Sequence, residues 1–451
     1  MDRTTDRRTD RERIFPAECT VRGTVLTGTY GLDLQQSGPP EAPEPPGTWE
    51  PPDWLIRDRE LHDVPDTPRP GYLATYDDPV FHSHVTRVSG DPGEPIPNGG
   101  GATWGELCRH HLVTSQAWNC DQSLIMLSNG GAGASGPGGL LLDGESYEVE
   151  FMRHADWPPG ADVRWHPTEP DVIDFARLST WGTFNVRTGA TTFLKDFGSE
   201  YTDVRIGQNR GNRSFDGKMV ALSARKTSRP VIIPYDIEND VQLPDIWPDE
   251  IGEPRSFSAC MMAPAGRNIV INYSGDHYDF IDLEGNLVNA LTPVAAAFGD
   301  CAFDANGDEV WSGRLNSSSI GLGSSGTISK WRLRDGQRTQ LTIGGYVYNT
   351  GTRAQNINAT GHAQWCCGDT RDNGSGGIVV APYSCELLLM ALSGSTVYRL
   401  CHHHSSNPVD NDAQPQPSMS PDASRVIFAS AWRATGAAPR PVGAYVVDYR
   451  E

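Results

Sequence analysis

No stretch of the chain approaches the ~18 uncharged apolar residues that a membrane-spanning helix requires, so no membrane insertion is expected. Apolar residues fill only 37% of the 451 positions, and the long runs of Ala, Leu, Glu and Lys that favour helices are missing. Positive charge is scarce too: 37 Lys and Arg against 57 Asp and Glu leave a formal charge of −20. Phosphate binding needs a basic face, so a surface this acidic argues against nucleic acid and anionic membranes as partners. A regular cysteine framework is also absent. The nine cysteines are odd in number and irregularly spaced, and most fall in strand-like stretches, where a thiol serves as a small hydrophobe. This usage favours a reducing compartment.

What the chain does have is glycine (48), proline (34) and tryptophan (12), the composition of many short strands joined by tight turns. The stretch "QPQPSMSPDASRVIFAS" (414–430) sets a small-residue turn before an apolar strand, and the pattern recurs. The other copies are "QAWNCDQSLIML" (116–127), "VRWHPTEPDVIDFA" (163–176), "NRSFDGKMVALS" (212–223), "CMMAPAGRNIVIN" (260–272), "CAFDANGDEVWS" (301–312) and "AQWCCGDTRDNGSGGIVVA" (363–381). Anchored on Asp121, Glu169, Asp216, Ala265, Asn306, Asn373 and Asp422, they lie 48, 47, 49, 41, 67 and 49 residues apart. A period near 47 is that of a propeller blade.

A second signature follows each anchor in phase: an apolar strand ending in a hairpin turn, as in "LLLDGES" (140–146), "FNVRTGA" (184–190), "FIDLEGN" (280–286) and "WRLRDGQ" (331–337). A short outer strand comes next, so each unit has four strands. The last unit ends at "GAYVVDYRE" (443–451) without its outer strand, and "SHVTRVSG" (83–90) is the spare strand that completes it. The expected fold is all-β: a seven-bladed β-propeller of four-stranded blades over 71–451, closed by an N-terminal strand in the last blade. Residues 1–70, with "SGPPEAPEPPGTWEPPDW" at 37–54, read as an extended Pro-rich arm that lies on the propeller or on a neighbouring protein.

Propeller ligands meet the central channel, where the inner strands begin. The approaches to those strands carry Arg109, His110 and His111 (blade 1), Arg164 (blade 2), Tyr201, Arg205, Arg210 and Arg213 (blade 3) and Arg255 (blade 4). Blade 6 is preceded by His362 and Gln364, and blade 7 by His402, His403, His404, Gln414 and Gln416. Imidazoles with an amide oxygen suit a divalent ion (Ca, Mn or Zn), with His362, His402, His404 and Gln414 as its ligands. Alternatively, Cys366, Cys367 or Cys401 completes a closed zinc site. Successive residues on a strand alternate in direction, so at most two of the three consecutive histidines face the channel. His110 and His111 are of the type that exchanges protons near pH 7. An Arg that neutralises a carboxylate, beside a Tyr or His that moves protons, is the set needed to remove a proton next to that carboxylate. His111, Tyr201 and Arg210 are the candidate catalytic residues. Arg109, His110, Arg164, Arg205 and Arg255 are the candidate substrate-binding ones.

"YDDPVFHSHVTRVSG" (76–90), "CRHHLVTSQAWNCDQSLIML" (108–127), "GHAQW" (361–365) and the 414–430 stretch together resemble the seven-bladed propeller polysaccharide lyases, the oligogalacturonate and ulvan lyases among them. The resemblance implies cleavage of a uronate glycan by β-elimination with a metal ion nearby. It places His111 at a catalytic histidine, and His362 and Gln414 in metal-binding stretches. Two departures stand against it: "SNGGAGASGPGG" (128–139) holds no second histidine, and Gln416 stands where the family has a histidine before Pro-Ser. The expected function is therefore a non-catalytic or weakly catalytic propeller that binds an anionic or neutral glycan. The arm would anchor it in a larger structure such as a virion or cell-surface assembly, residues 1–70 holding the protein partner. The alternative is a polysaccharide lyase. "MDRTTDRRTDRERIFPAEC" has charge but no apolar core, so no secretory signal is expected. The expected location is the cytoplasm or a larger particle, extracellular if that particle is a virion.

Overall fold

The computed structural model describes residues 50–111, 114–208, 210–252, 255–274, 277–291, 299–314, 327–342, 353–358, 364–371, 383, 385–394, 396–405, 411–433 and 440–450. They form seven antiparallel sheets, the blades of a propeller. From inner to outer strand, blade 1 is Leu107–Arg109, Leu124–Gly130, Gly139–Asp143 and Val149–Met152. Blade 2 is Asp162–Trp165, Val172–Arg177, Thr180–Asn185 and Thr191–Asp196. Blade 3 is Tyr201–Arg205, Met219–Lys226, Arg229–Asp236 and Val241–Gln242. Blades 4 and 5 run from Phe257 to Leu291 and from Asp300 to Gln340, and blade 6 from Arg353 to His402. Middle strands such as Arg425–Ser430 are buried along their whole length because a neighbouring blade covers each face. Between blades 1 and 2, for example, Leu124, Met126 and Leu141 pack on Trp165, Phe175 and Phe184.

The turn chemistry explains the repeat. At the turns after the inner strands, a carboxylate caps the backbone two residues on: Asp121 accepts from the Ser123 amide (3.0 Å), Asp216 from Lys218 (3.1 Å) and Asp422 from Ser424 (3.1 Å). The hairpin glycines Gly189, Gly285 and Gly336 sit at φ 73°, 86° and 67°, as Thr-Gly, Glu-Gly and Asp-Gly turns require. Gly144 is needed for a different reason. A Cβ there would lie 1.9 Å from the Gln122 carbonyl oxygen, and in that hairpin Tyr147 takes the positive φ.

Blade 7 closes the ring with both parts of the chain. Ser418–Met419, Arg425–Ser430 and Gly443–Asp448 are followed outward by His84–Arg87, paired from His84 opposite Asp448 to Arg87 opposite Tyr445. Thr75–Asp77 adds a fifth strand, too short to stand out in the sequence. Blade 1 is joined to blade 7 by a parallel bridge between Leu107 and Val442, with Cys108 N–H donating to the Val442 carbonyl at 3.0 Å. Blade 6 corrects one anchor. Trp365–Arg371 is its second strand, paired with Arg353–Asn358 and Glu386–Ala391, so the turn belongs before Trp365 and the 67-residue interval was a misplaced mark. Asn373 itself lies outside the described residues, as do the first 49 positions.

Residues 50–70 run along blades 6 and 7. Leu55 and Trp54 join the core that those two blades share, and Ile56 bridges Arg399 on the outer strand of blade 6. Further on, the Trp432 indole donates to the Thr67 carbonyl (3.0 Å), and Arg433 holds the Val64 and Pro65 carbonyls. No helix among the described residues is long and apolar enough to cross a membrane.

Candidate functional site

A cavity of about 360 Å³ opens at the inner strands of blades 1 and 2, lined by Arg109, His110, His111, Ser115, Asp162, Arg164 and Asp412 among others. The inner strand of blade 2 sets Asp162 and Arg164 two residues apart, hence on one face. Arg164 is buried and tightly held. Its Nε donates to the Gly211 carbonyl (2.8 Å), and its Nη1 donates to Asp162 Oδ1 and the Val163 carbonyl (2.6 Å each). Asp162 is fixed in turn by the Ile206 amide at 2.9 Å. Among the described residues, Arg164 Nη2 is buried without a hydrogen-bond partner. A guanidinium oriented on one edge with a donor to spare is built to receive an acceptor.

His110 donates from Nε2 to the Gln416 carbonyl at 2.5 Å, which fixes the tautomer with Nδ1 as the bare lone pair, and that atom has no hydrogen-bond partner among the described residues. Burial, with the charge of Arg109, pushes its pKa down to about 3. His111 is exposed to the cavity. The protein packed around it and the guanidiniums of Arg164, Arg109 and Arg153 push it down to about 4. Both rings are therefore neutral at pH 7, suited to accept a proton and not to supply one. Arg109 donates to Asp412 at 3.4 Å, and Asp412 also accepts from Arg440 at 3.3 Å.

The cavity thus gathers four of the expected residues, Arg109, His110, His111 and Arg164. Others have different company. Tyr201 donates its hydroxyl to Asp245 (2.8 Å) and accepts from Lys226 and Gln242, in a cluster on blade 3. Arg205 pairs with Asp203 (2.8 Å), Arg210 donates to Asn272 (2.9 Å), and Arg255 stands 4.0 Å from Asp279. Asp162 and Asp412 escaped the sequence reading, which weighed the carboxylates only as overall charge. The signal was there: Asp162 is two positions from Arg164 on the same strand.

Of the expected metal ligands, His362 lies outside the described residues. His402 has Nδ1 committed to Asp78 (3.1 Å) and its ring against Phe81, while His404 is stacked on Trp432 with centroids 4.2 Å apart. Among the described residues no three His, Cys, Asp or Glu side chains gather to hold a metal. Among the described residues, His402 Nε2 and both ring nitrogens of His404 are nevertheless buried without a hydrogen-bond partner, and the two rings lie 6.4 Å apart. Cys366 and Cys401 are buried thiols whose surroundings disfavour the thiolate that zinc needs.

Buried neutral histidines make the fold acid-sensitive. His110, His166 and His404 are each pushed down to about 3, chiefly by burial. From pH 6.5 downward the unfolded chain takes up protons that the fold refuses, so stability falls by up to about 1.4 kcal/mol per pH unit per histidine. Asp174, raised by burial beside Arg213, works the other way and offsets part of the loss. The unfolding temperature should drop from pH 7 to pH 5, and His404→Phe, which keeps the stack on Trp432, should flatten that drop. An equal drop in both proteins would count against this account.

No protein-family model matches the chain, and no curated protein does. Among solved structures, an oligogalacturonate lyase in complex with manganese is similar over 88% of this chain and 99% of its own, at 14% identity and a TM-score of 0.54. The oligogalacturonate lyase of Vibrio parahaemolyticus is similar over 87% and 99%, at 12% identity and a TM-score of 0.55. The chain has the fold of these lyases. Both enzymes are matched from end to end, and the cavity brings His and Arg together. The expectation of a non-catalytic propeller for a virion or cell-surface assembly is thereby overturned in favour of its alternative.

Proposed function

We propose that the protein is a polysaccharide lyase that cleaves a uronate-containing glycan by β-elimination. The observation that carries this reading is the buried, unpartnered Nη2 of Arg164 in the wall of a cavity that also presents His111. A uronate carboxylate placed on Arg164 and Arg109 has its charge neutralised, which acidifies the proton at C5. His111, neutral at working pH, takes that proton through a ring nitrogen. The electron pair left on C5, delocalised into the carboxylate, forms the C4–C5 double bond as the C4–O glycosidic bond breaks. The proton now on His111 is then available to the departing oxygen. A base close to the leaving group serves first as base and then as acid, so this scheme asks for no tyrosine.

The test is the ultraviolet absorbance of the unsaturated uronate product on a panel of uronate glycans, with and without manganese, the ion held by one of the similar structures. Absorbance should rise with the native chain and stay flat with His111→Ala. Because the free histidine titrates at about 4, kcat/KM should climb around pH 4 and be level from pH 6 to 8. A limb centred between pH 6 and 7 would remove His111 in this environment as the base.

A further inference from the structure

The two arginines that face the proposed carboxylate site are held very differently. Arg164 is locked by Asp162 at 2.6 Å, in a pair whose side chains are 5% and 2% exposed. Arg109 meets Asp412 at 3.4 Å, and Asp412 meets Arg440 at 3.3 Å, with Asp412 39% exposed. Contacts that long, on a carboxylate open to water, are weak and exchangeable. Asp412 also spans the seam of the ring, since Arg109 lies on the inner strand of blade 1 and Arg440 just before the blade 7 strand Gly443–Asp448. It lines the same cavity as His111 and Arg164.

We infer that Asp412 is a built-in competitor, a carboxylate that occupies Arg109 in the free protein and must yield it, swinging to Arg440, when a uronate carboxylate binds. The inference rests on the lyase reading for its role in turnover, although the exchange itself is a binding event. The chemistry is a simple trade of one carboxylate for another on one guanidinium, with no bond made or broken. Affinity for uronate is set below what two arginines would otherwise give, and sugars without a carboxylate have nothing with which to displace Asp412.

The probe is free glucuronate, titrated by calorimetry, with glucose as the uncharged control. Asp412→Asn should bind glucuronate on the order of tenfold more tightly, through loss of both the competitor and the like charge. In turnover the gain should fall on KM. Arg440→Gln should act in the opposite sense: Asp412, without the pull of Arg440, is held more firmly on Arg109 and glucuronate binds more weakly. Unchanged or weaker glucuronate binding by Asp412→Asn with an unshifted unfolding temperature overturns the inference. So does unchanged binding by Arg440→Gln, which serves if the first variant does not fold. Opposite shifts in glucuronate binding without any unsaturated product would uphold the competitor and discard the lyase. Product formation without those shifts would do the reverse.

Discussion

Arg164→Ala is expected to lower kcat/KM on a uronate glycan by at least about 100-fold, the usual cost of deleting a preorganised donor at a site of developing charge. The side chain is fixed by three contacts, to Gly211, Asp162 and Val163, so its spare nitrogen needs no reorganisation when the carboxylate arrives. Arg164→Lys separates charge from shape. An ammonium keeps the positive charge but cannot satisfy Gly211 and Asp162 while also presenting a donor to the cavity, so it should recover little of the loss. Rate measurements on both variants, alongside their unfolding temperatures, decide the matter. Near-native turnover in a folded Arg164→Ala protein would dissociate the cavity from the chemistry. The variant also leaves Asp162 buried without its cation, so some loss of stability accompanies the loss of rate.

Arg399→Ala is expected to cost about 3–5 kcal/mol of stability, the cost of breaking a buried ion pair from one side. Arg399 is fully buried on the outer strand of blade 6, forked onto Glu386 through Nε (2.8 Å) and Nη2 (2.5 Å), with Nη1 on Asp58 (2.5 Å) and the Glu60 carbonyl (2.9 Å). It is sandwiched between the rings of Phe81 and Tyr383, 5.0 and 4.8 Å away. Burial raises the Glu386 carboxyl against the pull of Arg399, while Glu386 and Asp58 hold the guanidinium firmly charged. Removing the arginine strands that carboxyl and also takes away the two side-chain bonds that tie Asp58 and Glu60 to blade 6. Denaturant unfolding measures the loss, and the double variant Arg399→Met with Glu386→Leu should regain much of it, since an apolar pair of similar bulk strands no charge. A single variant as stable as the native chain would show that the segment is held by its other contacts, the packing of Trp54 and Leu55 and the backbone bridge at Ile56 among them.

The blade count and the closing strand were legible because they rest on local chemistry. A carboxylate two residues before an amide, or a glycine at positive φ, leaves its mark within a few positions, and the copies reinforce one another even with the blade 6 mark misplaced. Asn373 went astray because the Gly- and Asn-rich sequence that follows Trp365–Arg371, the second strand of blade 6, imitates that mark. The site was only partly legible, since it depends on which side of a strand each residue faces and on what crosses from the next blade. Tyr201 stood in the approach to blade 3 yet is spoken for by Asp245 and Lys226, residues some distance along the chain from it. The bond from His110 to the Gln416 carbonyl joins positions 306 apart, beyond the reach of any spacing rule. Composition also misled: in a chain of charge −20, one more aspartate such as Asp412 looks like background.

The closing strand has a consequence for synthesis. Ser89, just past His84–Arg87, is joined to the amide of Ala444, 355 residues away, and blade 7 lacks its outer edge until those distant segments meet. On the ribosome the early strand must therefore wait, an open edge in search of a partner, while six blades' worth of chain emerges. The ring is completed late, by a contact of very long range that forms slowly. The nascent chain is most exposed to misassociation during that wait, and a chaperone that shields the 84–87 edge would raise the yield more than one acting on any finished blade.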